Sequence, residues 1–214
     1  ISNTLLDKLR SALTVEPPEK TFGKLLNDQE TDNAYPVFKE TDDMIVVPKF
    51  WFFEQMKTKP TPSSYQEPVK HQMKFTANLR PYQEPIVKTV MDGMVDKGGG
   101  ILSVPCGRGK TCMAINISAK LGLKTLVIVH RSDFIAQWTQ DIKRFCPNAR
   151  VGVIQQNKVD VEDKDIVIGM LKSISMKDYH YSTFLDFGML VVDEIHNIST
   201  KLYSNALQSC GAKY

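Results

Sequence analysis

The stretch from Ile101 to Thr111, ILSVPCGRGKT, carries the clearest chemistry in the chain. Ile101, Leu102 and Val104 read as a buried strand, the residues that follow as a tight glycine loop, and Lys110-Thr111 as the opening of a helix. A loop of this kind turns backbone N–H groups inward, where they can cradle phosphate oxygens beside the positive end of the helix dipole. Gly107 and Gly109 give the backbone its freedom and allow close approach. Lys110 is then the cation that reaches the β- and γ-phosphates, and Thr111 the hydroxyl that ligates Mg²⁺. The P-loop pattern G-x-x-x-x-G-K-[ST] asks for glycine at position 104, where this chain has Val104. The residues expected around the nucleotide phosphates are Pro105, Cys106, Gly107, Arg108, Gly109, Lys110, Thr111 and Cys112.

A second group lies downstream in FGMLVVDEIH, Phe187 to His196. Its hydrophobic strand, Met189 to Val192, ends in two carboxylates. In a P-loop enzyme an Asp at the end of such a strand holds the Mg²⁺ shell, and a neighbouring acid orients or deprotonates the attacking water. Asp193 and Glu194 fit those two roles, although a strand ending in an acidic turn is common in itself.

With both groups in one chain, the sequence resembles helicase superfamily 2, the DNA and RNA translocases built on RecA-like domains. LRPYQ (Leu79 to Gln83), VPCGRGKT, TLVIVHRSDFIAQW (Thr125 to Trp138), DIVIGMLKSI (Asp165 to Ile174) and VVDEIH stand in the family's order. They are similar to its glutamine motif and motifs I, Ia, Ib and II. The wording is closest to xeroderma-type-B-like helicases and to transcript-release helicases of large DNA viruses, and the likeness covers roughly residues 76 to 214. The resemblance implies ATP and Mg²⁺ as cofactors, with Lys110, Asp193 and Glu194 catalytic and Thr111 and Asp193 holding the metal directly or through water. It implies that Gln83 reads the adenine, its amide giving and taking a hydrogen bond at once, with Arg80 or Tyr82 nearby. It also implies that Arg131, and Lys172 and Ser173 on the loop expected after Ile168, follow a nucleic-acid backbone, and that His196 couples nucleotide state to the motif III region. For each of these basic residues a solvated surface charge is the competing reading.

Composition adds little. The 214 residues are 42% hydrophobic, enough for one core and a small appendage. Net charge is +3, which leaves no strong electrostatic footprint for nucleic acid. Residues 1–75 hold 10 basic and 11 acidic side chains, residues 76–214 hold 17 and 13, so the excess lies with the motifs. The four cysteines, Cys106, Cys112, Cys146 and Cys210, show no C-x-x-C spacing, which argues against a zinc knuckle or disulfide framework. A reducing intracellular setting is expected: nucleus, cytoplasm, viral factory or virion. No apolar run approaches the ~18 residues of a membrane span.

In chain order, Leu5, Leu6, Leu9 and Leu13 share one face of a short helix with Ser2 as a plausible cap, ended by Pro17-Pro18. Tyr35 to Met56 suggests two strands around a Thr-Asp-Asp turn and then the aromatic cluster Phe50, Trp51, Phe52 and Phe53, which is expected to pack rather than to stack on bases. Residues 58–68, rich in Pro, Ser and Thr, read as a linker. Residues 1–68 are therefore expected to form a small α+β accessory module, and residues 69–214 an α/β, RecA-like P-loop domain with a parallel sheet covered by helices on both faces. Helices are expected from Pro81 toward Met94, from Thr111 to Leu121, after a Ser132 cap, and from Lys201 to Gln208. Strands are expected at Ile101–Val104, Thr125–Val129, Val151–Ile154, Ile166–Ile168 and Met189–Val192. Trp138 belongs to the core face of its helix, with Phe134, Ile135, Ile142 and Phe145.

The function expected is ATP hydrolysis coupled to movement on DNA, more than RNA, in transcription or repair. The domain is expected to be truncated before motif III, with a second RecA-like domain supplying arginines from a missing C-terminal part. The alternatives are a translocating subunit of a restriction system, or a nucleotide-binding module without turnover.

Overall fold

The computed structural model describes residues 3–16, 34–41, 43–57, 67–195, 206–207 and 210–214. His196, most of the expected closing helix and residues 58–66 of the expected linker lie outside them.

The N-terminal residues form helix α1 (Asn3–Ala12) and two short antiparallel ribbons. Strands β1 (Thr14–Val15) and β2 (Tyr35–Pro36) pair over buried Leu13 and Tyr35. Strands β3 (Lys39–Glu40) and β4 (Ile45–Val46) pair around a turn in which Thr41 N–H donates to the Met44 carbonyl. The aromatic cluster sits on helix α2 (Lys49–Met56), which ends at Lys57 in the left-handed region, φ 48°. The Lys49 ammonium donates to the Ala212 carbonyl, which ties this part of the chain to residues 210–214.

The larger part is a sheet of five strands in the order β7-β6-β8-β5-β9. Strands β5 (Thr125–Val129), β6 (Val151–Gln155), β8 (Ile166–Met170) and β9 (Met189–Val192) are parallel, and β7 (Lys158–Val159) folds back antiparallel on β6. β5 pairs on both sides and is buried at all five positions. That explains its run TLVIV, apolar without a break after Thr125, the pattern of a strand covered on both faces. Alternation then divides the core. Leu126 and Ile128 join Phe184, Phe187, Leu171 and Ile174 on one face, while Val127 and Val129 join Ile115, Trp138 and Ile142 on the other.

Helices α3 (Gln83–Lys97), α4 (Lys110–Leu121) and α5 (Ser132–Phe145) supply that second face and its extension. α3 and α4 each stop at a glycine in the left-handed region, Gly98 at φ 82° and Gly122 at φ 63°. Below the sheet, the segment from Val69 to Thr76 is held by backbone bonds to Asp186, Gly122 and Phe145. At the same end Arg150 makes a two-pronged ion pair with Asp165. Burial raises the Asp165 carboxyl, but the Arg150 hydrogen bonds and charge outweigh it and hold the group below the usual carboxylate range.

Four expectations need correction. Ile101–Val104 forms no strand: no described strand pairs with it, and Ile101 is 79% exposed. The near edge of β9 is bonded to Tyr214, whose N–H donates to Gly188 and whose carbonyl accepts from Leu190. Lys172 and Ser173 lie on a short helix, α6 (Leu171–Met176), rather than on a loop. Ser132 does not cap α5; Arg131 takes the cap position in extended geometry, and no side chain caps the first-turn amides. The sheet also carries the antiparallel edge strand β7, which two residues of strand offered no periodicity to detect.

Candidate nucleotide site

The loop from Pro105 to Gly109 owes its shape to its glycines. Gly107 and Gly109 have φ of 74° and 81°, a region open at little cost only to glycine. A Cβ on Gly109 would stand 2.5 Å from the Gln83 amide nitrogen, so the loop and the start of α3 meet with no room for a side chain. Gln83 is only 4% exposed and holds the loop from below. Its Oε1 accepts from Arg80 N–H at 2.9 Å and its Nε2 donates to the Arg108 carbonyl at 2.9 Å. Tyr82 adds its hydroxyl to the same carbonyl at 3.3 Å, and the Arg108 guanidinium lies over the Tyr82 ring at 5.3 Å. In this arrangement the amide expected to read adenine is engaged with the protein, as a brace for the loop.

α4 begins at Lys110 with no side-chain cap on its first amides. Uncapped helix-start N–H groups beside a glycine loop form an anion site that a phosphate can complete. The Lys110 ammonium rests 3.5 Å from the Val104 carbonyl. Pro105, Cys106 and Arg108 are exposed along the loop. Cys112 is turned toward α5, where burial and the Asp141 carboxylate push its thiol up.

Opposite the loop, β9 delivers Asp193 and Glu194. The Asp193 N–H donates to the Ile128 carbonyl at 3.0 Å, which prolongs the β5–β9 ladder by one residue. Asp193 Oδ2 accepts from the indole N–H of Trp138 at 2.9 Å. Glu194 has φ 51°, a left-handed conformation that costs a non-glycine residue about 1–2 kcal/mol. Strain of that kind collects where a side chain must be aimed. A cleft of about 410 Å³ is lined by Lys110, Thr111, Trp138, Asp193 and Glu194, together with Leu102, Val104, Val191 and Tyr214. The two groups of motifs therefore face one cavity, with a cation and hydroxyl on one side and two carboxylates on the other. The donor set fits a magnesium nucleotide: helix-start amides and an ammonium for phosphate oxygens, a hydroxyl and a carboxylate for a hard divalent cation.

The expected nucleic-acid residues lie elsewhere. Arg131 follows β5 and is exposed, with its guanidinium on Asp133 at 3.0 Å. Lys172 lines a second hollow with Gln155, Gln156 and Lys177. Ser173 is 8% exposed and accepts the Gln156 N–H at 2.9 Å, so its oxygen supports the β6–β7 turn. Trp138 is core, as expected, at 3% exposure. Its bond to Asp193 had no signal in the sequence beyond the presence of an indole that needs an acceptor when buried.

Fold and cleft together define the class. The sequence profile described as "Type III restriction enzyme, res subunit" matches residues 76–214, and the chain belongs to that family within helicase superfamily 2. Among relatives, it is 31% identical over its whole length to an Acanthamoeba polyphaga mimivirus protein provisionally named an ATP-dependent RNA helicase, covering 41% of that protein. It is 27% identical over 88% of its length to a Frog virus 3 protein provisionally named a helicase, covering 44% of it. The chain thus spans less than half the length of either relative. Among solved structures, the Sulfolobus solfataricus SWI2/SNF2 ATPase core in complex with dsDNA matches at TM-score 0.55 and 27% identity, over 70% of this chain and 33% of that one. The UvsW helicase of bacteriophage T4 matches at TM-score 0.58 and 17% identity, over 98% of this chain and 84% of that one, and adds the fold alone. Among the described residues no helix is long and apolar enough to cross a membrane.

Proposed function

We propose that this chain carries the ATP-hydrolysing site of a helicase or translocase that moves on nucleic acid, with DNA as the favoured track. The observation that carries the reading is the single cleft shared by Lys110, Thr111, Asp193 and Glu194. Lys110 and the first amides of α4 would hold the phosphates and stabilise charge that builds on the transferring group. Thr111 and Asp193 would hold Mg²⁺, which when bound neutralises phosphate charge. Glu194, aimed by its left-handed backbone, would orient the attacking water and accept its proton. Arg131, Lys172 and Lys177 supply the charge on which a phosphate backbone could run. Residues 1–68 serve in this reading as an accessory module, and a second RecA-like domain with its arginines would complete the site.

DNA is favoured because a matching ATPase core was solved with dsDNA, although the mimivirus relative is named for RNA. A role in transcription or repair, rather than as a translocating subunit of a restriction system, rests on the family wording of the motifs. The restriction reading has the matching family's description on its side, and an attached nuclease in the parent protein would favour it.

The test is ATP turnover and binding by the full-length protein with duplex DNA, single-stranded DNA and RNA. Turnover should rise with polymer, most with DNA. Lys110→Ala should lose most of its Mg·ATP affinity, since the loop loses its mobile cation. Glu194→Gln should bind ATP normally and turn over about 10²–10⁴-fold more slowly. Near-normal hydrolysis by Glu194→Gln would move the base elsewhere, and unchanged binding by Lys110→Ala would reject the phosphate cradle.

A further inference from the structure

Asp193 is held at two points by two different elements. Its main-chain N–H is bonded to Ile128 of β5, and its carboxylate Oδ2 is bonded to the Trp138 indole of α5 at 2.9 Å. A carboxylate at a strand end has two free torsions, and the first bond fixes neither of them. The second does. Trp138 is itself immobile: it is 3% exposed and packed among Ile115, Val129, Ile142 and Ile168. Indole N–H is a donor only, so it can bond to a carboxylate but never compete as a ligand for a cation. The bond is charge-assisted, lies part-buried in the cleft wall, and takes up one of the two oxygens.

We propose that Trp138 is a positioning residue for the metal-binding carboxylate. Its N–H fixes the swing of the Asp193 side chain before metal arrives, so that no ordering of that carboxylate is left to occur on binding. The inference rests on the nucleotide-site reading above. It differs from a core role for the indole in one respect: a core residue would be replaced by any ring of similar size, whereas a positioning residue needs the N–H.

The experiment is a titration of the full-length protein with Mn²⁺ in the presence of saturating ADP, followed by electron paramagnetic resonance, for the wild type and for Trp138→Phe. ADP affinity in the presence of a chelator is measured beside it. Trp138→Phe should bind Mn²⁺ at least about tenfold more weakly, the scale of one hydrogen bond to a charged group. Its metal-free ADP affinity should stay within about twofold of wild type, a range set by binding that uses other atoms. In an Asp193→Asn background the Trp138→Phe change should have no further effect on Mn²⁺ affinity. If Trp138→Phe fails to fold, replacement of Trp138 by benzothienylalanine removes the N–H with ring shape kept, and the same tenfold loss is expected. Equal Mn²⁺ affinity in wild type and variant overturns the inference, and so does a parallel loss of metal-free ADP affinity, which marks a merely structural ring. A wild-type protein that takes up no Mn²⁺ with ADP overturns the nucleotide-site reading and this inference together, so the two failures are distinguishable.

Discussion

The two walls of the cleft are built in opposite ways. The carboxylate wall is an extension of the sheet: β9 pairs with β5 from Thr125 to Ile128, and Asp193 adds one more bond to Ile128. Among the described residues the phosphate wall has no strand behind it. Ile101 to Val104 runs without a described ladder partner, and the loop that follows is held by α3, through Gln83, and by α4, which starts from it. Both walls begin with similar apolar runs, ILSV and MLVV. The difference between them is the neighbour. A strand is defined by a partner's hydrogen bonds, and β-propensity describes fit to a half-buried surface rather than a backbone preference. MLVV meets β5 and becomes a strand, while ILSV meets a cleft and does not.

The contrast predicts that stability is concentrated in the carboxylate wall. Ile128 is 1% exposed, lies between β8 and β9, and supplies the carbonyl that anchors Asp193. Ile128→Ala should cost about 2–5 kcal/mol, the range for large-to-small changes in a packed core. Denaturant unfolding of this chain would show it as a lower midpoint with an unchanged slope. A loss under about 1 kcal/mol, well below that core range, would show that the sheet is not the rigid half.

A middle-sized effect is expected at the joint between loop and helix. Gly109 combines φ 81° with a virtual Cβ 2.5 Å from the Gln83 amide. Gly109→Ala must strain the backbone and displace a buried side chain from its bond to Arg108, at about 1–3 kcal/mol. Gly100, which has nothing within 4 Å of its virtual Cβ, is the control. Thermal melting should separate the two alanine variants, and equal melting points would remove Gln83 as the brace of the loop.

What could be read in advance follows the same division. Thr125–Val129 and Met189–Val192 are legible to the residue, because each is a short apolar run bounded by turn signals; the first is buried throughout, whereas the second is buried only at Met189 and half-buried beyond it. The glycine loop was legible because glycine there answers a backbone need that no other residue meets. The pairing of Gln83 with Arg108, the strained Glu194 and the Trp138–Asp193 bond were not legible. Each depends on two segments being brought together, and polar partners leave no periodicity in a sequence. Helix α6 leaves no signal either, because its six residues are too few for a helical period to stand out.

The smallest effect belongs to the phosphate wall, and it bears most directly on the comparison. Ile101 is 79% exposed, so its side chain has gained almost nothing from folding. Threonine keeps the β-branch and most of the volume but adds a hydroxyl, which is costly only where it is buried without a partner. If the segment stands outside the sheet, Ile101→Thr should leave the unfolding midpoint of this chain within about 0.5 kcal/mol of wild type, as for surface changes generally. If the segment instead forms the buried strand that its composition suggests, the same change buries a hydroxyl among apolar neighbours and removes a methyl contact. That outcome would cost about 1–3 kcal/mol and would approach the loss expected at Ile128. The two positions measured together therefore decide whether the cleft has one rigid wall or two.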